Sequence, residues 1–160
     1  MSIIAGPLGT VGNTCKHFVS TFCHLQLTFA SERLAGQWGI YDVEDSKTAP
    51  SILATEPYAY IDGKRVAIRG GPAGGCATLA SLTIAPDTMY FKAATSAYGG
   101  ISDLTTLAQI TEKFELQYMY KLLGGSLEQI PQAYTARSPI DNVPNPETGE
   151  PNVRVPLLVR

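Results

Sequence analysis

A chain of 160 residues, 44% of them hydrophobic, is long enough to bury one core and is about the size of a single domain. A formal net charge of −2, with twelve lysines and arginines scattered singly, leaves no basic field for a phosphate backbone and argues against a nucleic-acid partner. Only 16% of residues are charged, below the usual value of roughly a quarter, which suits a β-rich protein whose surface is partly covered by neighbours.

The opening residues carry no basic region, and their apolar run stops at Gly6-Pro7, so no targeting signal is expected. Nothing approaches the ~20 apolar residues of a membrane span. In "HFVSTFCHLQLTFA", Val19, Cys23, Leu25, Leu27 and Phe29 alternate with Ser20, His24, Gln26 and Thr28, the period of a half-buried strand. A second strand is predicted around Trp38 to Val43, with Asp42, Glu44 and Asp45 read as a solvated acidic turn. In "EPYAYIDGKRVAIRGGPAGGC" the Asp62-Gly63 pair is a hairpin signal between the faces of Tyr58 and Tyr60 and of Val66 and Ile68. The return strand is predicted to run through Gly70 to Gly75 and deliver Cys76 to a turn. A further strand pair follows, Ala77 to Ile84 and Met89 to Ala94, turned at Pro86-Asp87.

The period changes between Thr106 and Leu123, where Leu107, Ile110, Phe114, Tyr118 and Leu122 fall near one helical stripe. Thr106 and Gln109 suggest a capping box and Gly124-Gly125 a stop. Residues 126–160 are too rich in proline to be regular, yet they close on "VRVPLLVR". Val153, Val155, Leu157, Leu158 and Val159 are therefore expected to dock an extended arm on a neighbouring subunit or on the chain's own core. The predicted fold is mainly β, of short antiparallel strands and hairpins, with one carboxyl-terminal amphipathic helix. Residues 1–125 form the domain and 126–160 the arm.

The chemical signals are sparse. "GGPAGG" lacks the Lys-Ser/Thr of a phosphate loop, and a strand rather than a helix is expected after it. Cys23 and His24 point to opposite faces of a strand, and Cys15-x-His17 has no orienting partner, so a cysteine nucleophile is poorly supported. A tetrahedral nitrogen and sulfur site is the better reading: Cys15 and His17 share a side of an extended segment, and Cys23, His24 and Cys76 could complete it. Cys23 equally suits a core position, and Cys15, His17 and Cys76 also have ordinary structural readings.

"YIDGKRVAIRGG", running on into "GGPAGGC", resembles the repeating core of PAAR-type proteins, and "VGNTCKH" resembles that family's opening segment. The resemblance implies a cone of β-hairpins on the trimeric spike of a contractile injection machine such as a phage tail. It implies a zinc-held tip, with Cys15, His17 and Cys76 as ligands and His24 as the fourth. Arg65 and Gly71 depart from the family's pattern, and no second repeat is visible. The expectation is a non-enzymatic, metal-stabilised spike-tip protein, made in the cytoplasm and carried in a virion or extracellular injection particle. The alternative is a metal-free capsid or tail subunit that uses its arm for contacts with identical neighbours, and a small enzyme stands as a third class.

Overall fold

The computed structural model describes residues 2–5, 16–18, 34–84, 90–97, 102–111, 113–143 and 155–159. Five strands form one sheet: β1 (Ser2–Ala5), β2 (Lys16–Phe18), β3 (Val66–Gly70), β4 (Ala93–Ser96) and β5 (Leu157–Val159). Their order is β2-β1-β3-β4-β5. β1 runs antiparallel to both of its neighbours, whereas β3, β4 and β5 are parallel, with Ile68 opposite Ala94 and Gly70 opposite Ser96. Around the sheet lie α1 (Tyr41–Ala54), α2 (Pro72–Thr83), α3 (Leu104–Ile110), α4 (Lys113–Leu123), α5 (Pro131–Arg137) and a 3₁₀ turn at Pro139–Asn142. This is an α/β architecture, and it overturns the mainly β expectation.

The physical reason lies in α2. Cys76, Ala77, Thr78, Ala80, Ser81 and Leu82 are all buried and none of the helix's described residues is exposed, so it shows no helical stripe. Its residues enter three packing clusters: Leu82 joins Ile61, Val66, Ile68, Phe91 and Ala94 beside the sheet, Cys76 joins Leu104, Ala108, Met119, Leu123 and Tyr134, and Ala80 meets Val43. The hydroxyls of Thr78 and Ser81 donate to the carbonyls of Gly74 and Ala77, at 2.8 and 2.6 Å. A small, β-branched and apolar segment can thus cross the core as a helix with its polar atoms satisfied internally. The strand expected over Ala77 to Ile84 is this helix.

Elsewhere the local turn signals are real, but the pairing they imply is not. Asp62 does make its turn, accepting from Lys64 N at 2.9 Å on the carboxylate and from Arg65 N at 3.0 Å on the carbonyl. Tyr58 and Tyr60 nevertheless stand in an exposed loop after α1, and the antiparallel partner of β3 is β1. The predicted strand from Trp38 to Val43 is a turn leading into α1, where the Asp42 carboxylate accepts from Gly39 N at 2.7 Å. The single helix expected over Thr106 to Leu123 is two. Asp103 caps α3 by accepting from Thr105 N and Thr106 N at 2.8 and 3.0 Å, and α4 starts at Lys113.

At the end of α4, Gly124 takes φ +98° and crosses Gly36, itself at φ +71°; a Cβ built on Gly124 would stand 3.2 Å from the Gly36 Cα. The proline-rich segment contains α5, with Tyr134 fully buried and its hydroxyl donating to the Gly125 carbonyl at 3.0 Å. Leu157, Leu158 and Val159 form β5 in the chain's own sheet, and Val155 packs on the cluster beside it. Val153, Cys15, Cys23, His24, the Pro86-Asp87 turn and the strand expected beyond Phe18 lie outside the described residues. Among the described residues no helix is long and apolar enough to cross a membrane.

Candidate active site

In an open sheet with parallel strands, ligands collect beyond the carboxyl ends of those strands. Here that edge holds a sharp passage from β3 into α2: Gly70 ends the strand, Gly71 caps the helix in extended conformation, and Pro72 begins it. Proline suits this first helical position because its missing N–H has no partner to lose there. The passage is tight enough to demand glycine. A Cβ on Gly70 would fall onto the Gly74 carbonyl and stand 2.7 Å from Gly75 N, and one on Gly75 would stand 2.8 Å from the Ala97 carbonyl oxygen. Ala97 N donates to the Gly70 carbonyl at 2.8 Å, and Gly75 N donates to the Gly71 carbonyl, so the strand end, the first turn of α2 and the exit of β4 are locked together through backbone.

Such a strand, sharp turn and helix is the frame that hydrolases of the α/β type use to raise a nucleophile, with the pattern Gly-x-Ser-x-Gly. This chain reads Gly70-Gly71-Pro72-Ala73-Gly74. The glycines of the frame are present, and proline stands at its centre. The sequence reading missed the frame because it extended the return strand through Gly75. The available signal was Pro72, two residues past the end of a buried strand, a helix start rather than a strand interior.

A polar group gathers near Cys76, where Asp42 acts on both that thiol and Arg137. The Arg137 guanidinium donates through Nη1 to the Trp38 and Leu123 carbonyls at 3.2 and 3.3 Å, tying α5 to the turn before α1 and to the end of α4. Burial lowers the proton affinity of Arg137, and the nearby Asp42 opposes that shift. Asp42 is itself raised above the ordinary carboxylate range by burial, against the pull of the Gly39 amide. Burial, and then the charge of Asp42, push the Cys76 thiol up to about 12. That thiol is a structural group in the helical cluster and not a nucleophile at neutral pH.

Of the zinc ligands expected from sequence, His17 lies in edge strand β2 opposite Ile4, and Cys76 lies in α2. Among the described residues no three His, Cys, Asp or Glu side chains gather as a metal site. An apolar cavity of about 250 Å³ lies between α2, the 3₁₀ turn and β5, lined by Leu79, Leu82, Pro139, Ile140, Val143 and Leu157 among others, and so sits apart from the elbow.

A model of the prolyl oligopeptidase family matches residues 29–159. Among solved structures, a puromycin hydrolase is similar at 36% identity over 81% of this chain, with a TM-score of 0.67. A puromycin-hydrolyzing peptidase of Mycobacterium tuberculosis is similar at 41% identity over 81%, also with a TM-score of 0.67. Dipeptidyl peptidase 4 of Porphyromonas gingivalis, at 20% identity, 80% coverage and a TM-score of 0.60, shares the fold. This chain spans 18%, 18% and 15% of those chains. No curated protein matches by sequence. The family match overturns the PAAR resemblance, and with it the spike-tip function, the alternative capsid or tail subunit, the non-enzymatic class and the expected partners in a spike or shell. "YIDGKRVAIRGG" is a turn entering the central strand of the five-stranded sheet, not a hairpin of a cone.

Proposed function

The chain belongs to the prolyl oligopeptidase family, and on that premise we propose that it forms the elbow-bearing part of a peptidase hydrolase domain. Its site, at the carboxyl ends of β3 and β4, receives the carbonyl group of a peptide or an aminoacyl amide. One observation carries this reading: the passage from β3 to α2, closed by Gly70, Gly74 and Gly75, has the shape that presents a residue and the amide after it to a substrate carbonyl. The names of the similar structures, a puromycin hydrolase and a peptidase that hydrolyses puromycin, support aminoacyl and peptidyl amides as the substrate class. The packing of α2 supports it too, because its buried residues hold the elbow against both the sheet and the helical cluster.

The test is a titration with short peptide amides followed by amide NMR. The expected result is a set of shifts confined to Gly70, Gly71, Ala73, Gly74, Gly75 and Ala97. Shifts elsewhere, or none at millimolar peptide, would sink the proposed site.

A further inference from the structure

The elbow keeps the frame of a nucleophile seat and lacks a nucleophile in it. Acyl transfer at this position needs an O–H or S–H: the new bond to the substrate carbon forms as that proton passes to a base, and the amine then leaves with a proton returned to it. Proline offers no such hydrogen, and its backbone nitrogen carries none either. The strain associated with a raised nucleophile is missing as well. Proline holds φ near roughly −65°, outside the positive range that such a seat uses.

Among the described residues no neighbouring group takes over. Thr78 and Ser81 are fully buried, and their hydroxyls are committed to the Gly74 and Ala77 carbonyls. The Cys76 thiol is buried among Leu104, Met119 and Tyr134. Ser96, at the end of β4, has an Oγ 2.9 Å from where a Gly75 Cβ would stand, but it is fully buried and has no hydrogen-bond partner among the described residues. The described histidine, His17, lies on β2, two strands from β3.

We propose that Pro72 is a substituted nucleophile: the frame of the elbow remains, so that a substrate carbonyl delivered there meets the site but forms no acyl-enzyme at position 72. This inference rests on the elbow reading of the proposed function and adds what has been lost from it.

Two measurements separate the two claims. First, the protein is treated with a fluorophosphonate probe and mapped by mass spectrometry. No adduct is expected on residues 66–96, and an adduct on Thr78, Ser81 or Ser96 would overturn the substitution while leaving the elbow reading intact. Second, Pro72→Cys is alkylated with iodoacetamide at pH 7, native and in urea. A thiol in a true seat at a helix amino terminus is expected to react at least about threefold faster native than denatured, while Cys76 stays protected and certifies the fold. A native rate equal to or below the denatured rate overturns both claims. Should Cys76 also react in Pro72→Cys, Gly71→Cys decides by the same criterion, since a side chain at Gly71 meets nothing within 4 Å and its φ is −94°.

Discussion

Two helices of the molecule, α2 and α4, obey opposite rules. α2 is enclosed by the sheet on one side and by helices on the others, and its first turn touches its surroundings through backbone at Gly70, Gly74 and Gly75. α4 buries Met119 and Leu123 and leaves Tyr118 63% exposed. In the first region fit is set by main-chain atoms that cannot move aside; in the second it is set by caps and by side chains with solvent to retreat into. The cost of a mutation should therefore fall steeply from the elbow to the helical cluster, largely independent of residue size.

The sharpest way to break that contrast is Gly70→Ala. Its methyl would land on the Gly74 carbonyl, and a loss of about 4 kcal/mol or a failure to fold is expected in urea denaturation. A loss under about 1 kcal/mol would show that the elbow yields. Gly75→Ala, with its Cβ 2.8 Å from the Ala97 oxygen, should lose about 2–3 kcal/mol in the same titration.

In the helical region, Asp103→Ala removes the cap of α3 and should lose about 1 kcal/mol at pH 7. Hydrogen bonds from the Thr106 side chain and then from backbone amides hold the Asp103 carboxyl below its ordinary value of 3.8. A lowered carboxylate stabilises above its unfolded value and loses that contribution as pH falls through the folded one. The gap between wild type and Asp103→Ala should thus be full above pH 5 and close below pH 4; a gap unchanged at pH 3 would place the effect elsewhere. Tyr118→Ala should move stability by no more than about 0.5 kcal/mol, measured by thermal melting, and a larger loss would mean that its exposed ring is packed in solution.

This contrast also decides what could be read from the sequence. α4 announced itself, because an element with one wet face writes its period into the chain, and Gly124 marked its end. The break at Thr111 and the cap at Asp103 were less visible, since Leu107, Ile110 and Phe114 continue the stripe across the gap. β3 was legible as a strand from Val66 and Ile68, but its partners were not, because β1 lies more than sixty residues earlier and pairing carries no local mark. α2 was illegible by period: Thr78, Ser81 and Thr83 suggest a strand until the core around them is known. The same holds for the site. Its glycines read in sequence as an incomplete phosphate loop, and only the helix after them sets Gly70, Pro72 and Gly74 in the passage from strand to helix.

The crossing of Gly36 and Gly124 makes the two positions one unit of mutational tolerance. Both are closed to side chains by a positive φ, and Gly124 is closed a second time by the Gly36 main chain, 3.2 Å from where its Cβ would stand. Once either is substituted and the strands of chain part, the second substitution has little left to displace. The double variant Gly36→Ala with Gly124→Ala should consequently cost clearly less than the sum of the two single ones, so that the pair tolerates two changes together better than its separate sensitivities suggest.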